Sequence, residues 1–234
     1  MKFEEIQYLI GISISLLLML LLFFLVLFFY LKKSKTTESY TDKLGKDAET
    51  KVNNLVQIWA NKNNAHYIPS SMFKYDKNKI FEVDGILITA RALIVIEVKN
   101  INGIIEGKGL EKTWFKIMGS KRHEINNPII QNDKHIEHIL AISKLKVPML
   151  SLVVFDSRTE ELRCSEIPSH VLVIKVEDME TSLNAINDQL MPKINMGEIQ
   201  KIYYALLDHK TSAPEDYKML LSFGKESKNN DFTI

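Results

Sequence analysis

The segment Tyr8–Leu31 contains no charged residue and consists mainly of Leu, Ile and Phe. A helix of about 20 apolar residues is long enough to cross the ~30 Å hydrocarbon core of a bilayer. A cleaved signal peptide is the alternative interpretation, but the run is too long for one and no small-residue cleavage site follows it. We therefore expect a retained transmembrane helix, with the lipid bilayer as the partner of residues 8–31.

The charges on either side of this run predict its orientation. Lys32, Lys33 and Lys35 follow it directly, whereas the segment before it is net negative. Positively charged flanks of a membrane span stay on the cytoplasmic side. We expect a single-pass protein of the cell membrane whose C-terminal domain lies in the cytoplasm.

Composition narrows the function classes of the remaining chain. The formal net charge of +1 argues against binding of nucleic acid through bulk positive charge. Cys164 is the only cysteine, so neither an internal disulfide nor a Cys-rich zinc site can form. About 190 residues follow the apolar run, enough for one domain with a sizeable core.

Apolar periodicity and turn residues predict the elements of this domain. Helices are expected at residues 42–61, 128–144, 179–190 and 196–208. Strands are expected at residues 66–68, 80–89, 93–99, 103–106, 113–118, 148–155 and 170–175. This order predicts an α/β fold with a mixed sheet flanked by helices. The domain organisation follows: a transmembrane anchor (1–31), a polar linker (32–41), a core (42–155) and a C-terminal strand and helical extension that packs on the core (156–234).

The strands at 80–89 and 93–99 are separated only by Ala90-Arg91-Ala92, which predicts a tight hairpin. With Ala90 and Arg91 at its tip, Asp84 lies opposite Glu97 and Glu82 lies opposite Lys99. Opposed residues have Cβ atoms about 4.5–5.5 Å apart and point to the same face. One face of the hairpin therefore gathers three carboxylates and one ammonium.

Two carboxylates ~5 Å apart repel each other by roughly 3 kcal/mol at an effective dielectric constant of 20. A cation or a shared proton has to offset that repulsion, and both Lys99 and a divalent metal are candidates. A solvated hairpin end with a Glu82–Lys99 ion pair is the purely structural alternative. The spacing alone leaves these interpretations open.

Several stretches of this sequence resemble the NERD (nuclease-related) domain of the PD-(D/E)xK nuclease-like superfamily. The residues that carry the resemblance are Val83-Asp84-Gly85-Ile86-Leu87-Ile88, Ile94-Val95-Ile96-Glu97-Val98-Lys99-Asn100, Gly103, Trp114 and Asn127-Pro128-Ile129-Ile130-Gln131, with Gly45 and Glu49 as a looser match. Ala48 stands where the family has a second glycine, and Val83 stands where the superfamily has a proline. The resemblance covers roughly residues 42–155.

This resemblance implies a restriction-endonuclease-like mixed sheet and a metal-dependent nuclease that hydrolyses phosphodiesters of DNA or RNA. It implies Asp84 and Glu97 as ligands of Mg²⁺ or Mn²⁺, and Lys99 as the residue that positions or activates water. Gln131 and Glu49 would be supporting residues of the catalytic site. Nucleic acid is the implied partner. The alternative is a catalytically inactive, membrane-tethered module that binds nucleic acid or protein through the same fold.

Other residues favour structural interpretations. His135 and His138 have ligand-like spacing on a helix, but a polar helix face is favoured because no matching third ligand is near in sequence. Trp59 and Trp114 are expected in the core, and stacking of Trp114 on a base is the less favoured alternative. The basic cluster Lys121-Arg122-His123 is expected to be a solvated turn, with a phosphate contact as its alternative. Cys164 is expected to be a buried thiol without a catalytic role.

Overall fold

The computed structural model describes the backbone of residues 3–76, 79–144 and 146–220, and the side chains of the same residues apart from 3–14, 29–42 and 76. The chain divides into two units, Met1–Lys46 and Asp47–Ile234. The first helix, α1 (Phe3–Lys62), contributes to both units. The predicted linker, residues 32–41, has helical backbone within α1.

The first unit consists of the N-terminal part of α1. The side chains described in its apolar run, Ser15–Phe28, are all exposed. Within the described residues, no helix combines the length and the apolar character needed to cross a membrane. The predicted span over residues 8–31 extends on both sides onto side chains that lie outside the described residues.

The second unit contains the remaining elements. Its helices after α1 are α2 (Pro128–Ser143), α3 (Met179–Gln189) and α4 (Met196–Asp208), with a 3-10 turn at Val176–Asp178 before α3. Its strands are β1 (His66–Asp76), β2 (Lys79–Ile88), β3 (Leu93–Lys99), β4 (Gly103–Lys108), β5 (Thr113–Met118), β6 (Lys121–Asn126), β7 (Met149–Phe155), β8 (Thr159–Ser165), β9 (Val171–Lys175) and β10 (Lys210–Thr211).

These strands form two mixed sheets. The larger sheet has the order β10-β1-β2-β3-β7-β9, and β7 runs parallel to both β3 and β9. The smaller sheet has the order β6-β5-β4-β8, in which β4 and β8 are parallel. The prediction of a mixed α/β fold flanked by helices is confirmed, with two sheets instead of one.

Helices cover both faces of the larger sheet. On one face, Val52, Val56 and Trp59 of α1 pack with Leu183 of α3 against β3 and β7. On the other face, α2 and α4 pack against β2 and β3. Because successive strand residues point to opposite faces, β2 and β3 contribute alternately to the two cores and read as continuous apolar runs.

Local sequence signals explain the ends of the helices. Asn127 caps α2 by accepting a hydrogen bond from the Ile129 backbone N–H at 2.8 Å, and Pro128 occupies the first helical position. Asn195 and Glu198 form a capping box at the start of α4. On α1, Val52, Val56 and Trp59 are buried, whereas Leu55 is 40% exposed.

Candidate active site

The five predicted site residues come from four elements that meet at one end of the larger sheet. Glu49 lies on α1, Asp84 on β2, Glu97 and Lys99 on β3, and Gln131 one turn into α2. Glu97 is 2% exposed, whereas Gln131 lies at the surface. The site therefore extends from the buried Glu97 to the exposed Gln131.

The β2–β3 hairpin has the register that the sequence predicts. Its ladder runs from Ile88 opposite Leu93 to Gly85 opposite Ile96. At the tip, the Thr89 hydroxyl accepts hydrogen bonds from the backbone N–H groups of Arg91 and Ala92 at 3.0 and 3.1 Å. This turn sets the register that places Asp84 and Glu97 next along their strands.

The regular ladder ends where the carboxylates begin. Asp84 Oδ2 accepts a hydrogen bond of 2.7 Å from the Val98 backbone N–H. This side-chain bond replaces a backbone bond between the strands. It fixes the Asp84 carboxylate against β3, one residue from Glu97.

Glu97 is held by two cationic or potentially cationic side chains. Lys99 Nζ lies 2.6 Å from its Oε1, and His135 Nε2 of α2 lies 3.5 Å from its Oε2. Lys99 also donates to Gln131 Oε1 at 2.8 Å. The structural alternative of a Glu82–Lys99 ion pair is wrong. Lys99 contacts Glu97 and Gln131, whereas Glu82 is exposed and pairs in register with Met72 of β1.

The two carboxyl groups have pKa values shifted in opposite directions. Burial raises the pKa of Asp84 to about 8, and the negative charges of Glu97 and Glu49 add to this, although the Val98 N–H and Lys99 oppose it. Burial also acts to raise the pKa of Glu97, but the hydrogen bond with His135 and the charge of Lys99 outweigh it and hold that pKa below its usual range. The site therefore holds one ionised carboxylate beside one that is mostly protonated at neutral pH.

Tyr67 and Asn53 form part of the same site, which the sequence did not indicate. Burial raises the pKa of Tyr67, and the nearby charge of Asp84 raises it further. The phenol of Tyr67 donates a hydrogen bond to Asn53 Oδ1 of α1. A Cβ added at Gly85 would lie 2.5 Å from the Tyr67 hydroxyl, so the Tyr67 ring packs directly over β2 beside Asp84.

His135 is a second residue of the site, although the sequence favoured a structural role for it. It lies one turn after Gln131 on α2, and positions i and i+4 share a helix face. The four-residue spacing from Gln131 could have indicated that His135 belongs to the site, because Gln131 was already assigned to it. The sequence interpretation of a polar helix face is wrong for His135, whose side chain is only 15% exposed.

His138 has a different role from His135. Its ring stacks on Tyr75, with centroids 4.5 Å apart, and lies 4.9 Å from Phe81. Burial lowers its pKa. His135 and His138 therefore do not form a metal-binding pair.

The remaining sequence candidates are structural. Trp114 is fully buried and its Nε1 donates to Lys108 O at 2.8 Å, so the core interpretation is confirmed. Lys121-Arg122-His123 belongs to strand β6, not to a turn, and Arg122 lies 3.7 Å above the Phe115 ring. Burial raises the pKa of Cys164 to about 11, which disfavours a reactive thiolate.

The donor set fits a divalent cation of the Mg²⁺ type. Asp84 and Glu97 offer carboxylate oxygens, which Mg²⁺ prefers, and such a cation usually keeps several waters. The raised pKa of Asp84 means that an added positive charge would favour its ionised form. Among the described residues, no group of three or more His, Cys, Asp or Glu side chains is arranged to hold a metal. Any cation here would therefore rely on the two carboxylates and on water or substrate oxygens.

The fold and the site together describe an α/β domain with acidic residues and a lysine on adjacent central strands. The family model of the nuclease-related domain, NERD, matches residues 44–156. The matched residues nearly coincide with residues 42–155, the region of resemblance found in the sequence.

One relative is an uncharacterized protein of Bacillus anthracis. It is 25% identical to this chain over 126 residues, which cover 54% of this chain and 58% of the relative. The chain thus spans little more than half of that protein. No solved structure matches the chain.

Proposed function

We propose that this protein is a metal-dependent phosphodiesterase that hydrolyses DNA or RNA. The observation that carries the proposal is the arrangement of Asp84 and Glu97 on adjacent strands, with Lys99 Nζ 2.6 Å from the Glu97 carboxylate. The order α1, β1, β2, β3, α2, β7 in the larger sheet and its helices also supports the restriction-endonuclease-like fold that the sequence resemblance implies.

Asp84 and Glu97 would hold the cation, Mg²⁺ or Mn²⁺. When bound, such an ion polarises a phosphodiester oxygen and lowers the pKa of a bound water. The buried position of Glu97 and the half-buried position of Asp84 would limit the access of competing solvent to the ion. Glu49, whose charge acts on Asp84, would add negative charge at the α1 side of the site.

Lys99 supplies the positive charge that the chain itself contributes. An ammonium group has three N–H donors, and Glu97 and Gln131 accept two of them in this structure. The third is available to a phosphate oxygen or a nucleophilic water, where it would offset negative charge that develops during hydrolysis. Gln131 orients the ammonium, and His135 holds the Glu97 carboxylate from the opposite oxygen.

A cleavage assay with the full chain in detergent tests this proposal. We expect wild-type protein to cleave DNA or RNA with Mg²⁺ or Mn²⁺, and Lys99→Gln to lose at least 100-fold in kcat, a typical size for the loss of one electrostatic contact to the transition state. Lys134→Gln is the matched control, because Lys134 is an exposed lysine of α2. Absence of cleavage on all substrates, together with no metal binding in calorimetry, would reject the proposal.

We further propose that residues 8–31 anchor the domain in the cell membrane with its C-terminal part in the cytoplasm. The exposed apolar side chains Leu16–Phe28 support the anchor, since a contiguous apolar surface of this kind needs a nonaqueous partner. Lys32, Lys33 and Lys35 support the orientation. In inside-out vesicles, added protease should digest the domain, whereas in right-side-out vesicles the domain should be protected; the reverse pattern would contradict the orientation.

A catalytically inactive binding module is the second candidate function. It is favoured by the observation that both Glu97 oxygens already have partners, Lys99 and His135, so that Glu97 needs no metal for charge balance. Metal titration separates the two candidates. A binding module should give the same heat signal for wild type, Asp84→Ala and Glu97→Ala, whereas a metal site should lose its signal in both variants.

A further inference from the structure

We propose that Lys51 of α1 and Arg158 of the β7–β8 loop form a phosphate-binding edge that holds the backbone of a nucleic-acid strand beside the candidate site. This inference deepens the proposed function, on which its choice of substrate class rests. Arg158 lies beyond residues 44–156, the part that matches the family model. The edge therefore includes a residue from the C-terminal extension.

The β7–β8 loop is joined directly to the strand that carries Lys99. Phe155 pairs in register with Lys99, and the Asp156 backbone N–H donates to Lys99 O at 2.9 Å. At the other end of the loop, the buried Thr159 hydroxyl donates to Ile101 O at 2.6 Å. Both ends of the loop are thus fixed beside the segment that follows Lys99.

Arg158 presents its guanidinium group at this fixed position. The residue is exposed, and its Nη1 donates to Asn100 Oδ1, a neutral amide directly after Lys99, at 3.2 Å. A guanidinium has five N–H donors in a planar fork that matches the oxygens of a phosphate group. This hydrogen bond orients the Arg158 side chain. Because Asn100 is neutral, it does not compensate the positive charge of the guanidinium group.

Lys51 reaches the same loop from α1. Its Nζ donates to Ser157 Oγ at 3.3 Å and lies 3.7 Å from Asp156 Oδ1. The Lys51 side chain is 47% exposed, whereas that of Asp156 is 12% exposed. Asp156 thus holds the Lys51 ammonium group beside the loop, while much of the Lys51 side chain remains open to solvent.

The charge distribution favours a phosphate backbone as the occupant. Glu97 and the charge of Glu49 make the centre of the site negative, and Lys99 is engaged with Glu97. With a net charge of only +1, the chain has no bulk positive field to draw in a polyanion. A strand that enters this site needs cations close by, and Lys51 and Arg158 are exposed cations tied to the loop beside Lys99.

Oligonucleotide binding tests the edge. The full chain in detergent carries Asp84→Asn, which is expected to block cleavage, and fluorescence anisotropy follows a labelled DNA or RNA oligonucleotide in Mg²⁺. Arg158→Gln and Lys51→Gln should each weaken binding about 3- to 10-fold. Each should also reduce the slope of log K against log salt by about 0.7 to 0.9, the contribution of one phosphate contact. Arg158→Glu should weaken binding more than Arg158→Gln.

Arg163→Gln provides the matched control. Arg163 is an exposed arginine of β8 in an ion pair of 2.7 Å with Glu161. The proposal is overturned if Arg158→Gln and Lys51→Gln bind like the parent, if Arg163→Gln weakens binding equally, or if the parent binds no oligonucleotide at low salt. Circular dichroism melting of each variant should stay unchanged, since these are exposed positions.

Failure of the edge and failure of the nuclease proposal give different results. If wild type does not cleave but Arg158→Gln and Lys51→Gln still weaken oligonucleotide binding, the nuclease proposal is contradicted and the phosphate-binding edge is supported. If wild type cleaves and both variants retain its KM and kcat, the edge is overturned and the nuclease proposal stands. If the edge is correct in an active enzyme, both variants raise KM with little change in kcat.

Discussion

Asp84 and Glu97 show how the surroundings of a carboxyl group decide its charge. Both lie at the end of the β2–β3 hairpin, Glu97 buried and Asp84 half-buried, yet Glu97 has Lys99 and His135 as partners, whereas Asp84 has a single backbone N–H and lies near two other carboxylates. The pKa of Glu97 is lowered and that of Asp84 is raised to about 8. Opposed shifts of two neighbouring acids are typical of functional sites.

Asp84 makes a testable contribution to the pH dependence of stability. Its pKa is about 8 in the folded protein against an ordinary 3.8, so the folded state binds the proton more tightly than the unfolded state. The stabilisation from the protonated form is complete below about pH 3.8 and is lost as the pH rises towards 8. Within this window the Asp84 contribution to the free energy of unfolding falls by up to ~1.4 kcal/mol per pH unit.

Urea unfolding of wild type and Asp84→Asn over this pH range isolates that contribution, because other titrating groups affect both proteins alike. We expect the stability of wild type to fall relative to Asp84→Asn as the pH rises. A constant difference between the two proteins across the range would show that the Asp84 pKa is not raised.

His135 is expected to act as a positioning residue for Glu97. Removing it leaves Glu97 Oε2 without the imidazole at 3.5 Å, so the carboxylate is held only by Lys99. Partners that orient a ligating carboxylate typically contribute 10- to 100-fold in metal affinity or activity. We predict a loss of this size in Mn²⁺ affinity for His135→Ala, measured by calorimetry, and a smaller loss for His135→Gln, which keeps a donor. Glu137→Ala, at an exposed position of α2, should match wild type.

At the level of elements, much of the site could be predicted from two strands and one turn. The short Ala90-Arg91-Ala92 connection set the register of β2 and β3, which the structure reproduces from Ile88 to Gly85. The ion pairing beyond Gly85 could not be predicted from this register. The Asp84 carboxylate accepts a hydrogen bond from the Val98 backbone N–H, and the regular pairing of β2 with β3 ends there. His135 was missed because its place depends on the packing of α2 against β3, which no local pattern specifies.

The smaller sheet was predicted only in part, for reasons of composition. β4 and β5 carry apolar residues and were expected, whereas β6 (Lys121–Asn126) is almost entirely polar and exposed and lacks a clear apolar alternation. In the β8 strand, Leu162 and Cys164 are the apolar side chains that pack against the core. Edge strands of this kind are stabilised by backbone hydrogen bonds to a neighbouring strand. The apolar periodicity of the sequence does not reveal such pairing.

Gly107 is required for the packing of the smaller sheet. A Cβ at this position would overlap the indole ring of the fully buried Trp114. Gly107→Ala should therefore lower the free energy of unfolding by about 1–3 kcal/mol, as overpacking in cores does. Urea denaturation measures the change. Gly197→Ala in the first turn of α4 is the control, since its Cβ would meet only Asn195 Oδ1 at 3.4 Å; an equal loss in both variants would contradict the packing argument.

At the scale of the whole molecule, the C-terminal extension is part of the core that supports the site. β9 adds a strand beside β7, and α3 and α4 cover opposite faces of the larger sheet. The hairpin tip is also tied to the extension, because Arg91 Nε donates to Asn187 O and the backbone of Ile194 donates to Ala90 O. The NERD match ends at residue 156, before these elements.

The fragment 43–156 is therefore predicted not to fold, whereas 43–220 should. Truncation removes, from α3 and α4 alone, six apolar side chains that are at least nine-tenths buried: Met179, Leu183, Ile186, Ile199, Ile202 and Leu206. At about 1.5–3 kcal/mol for each buried side chain, the loss is on the order of 10 kcal/mol, comparable to the whole stability of a typical domain. Thermal melting by circular dichroism should give a cooperative transition for 43–220 and none for 43–156. Equal melting temperatures for the two fragments would mean that the matched region folds alone, and that α3, α4 and β9 are not needed to hold the β2–β3 hairpin in place.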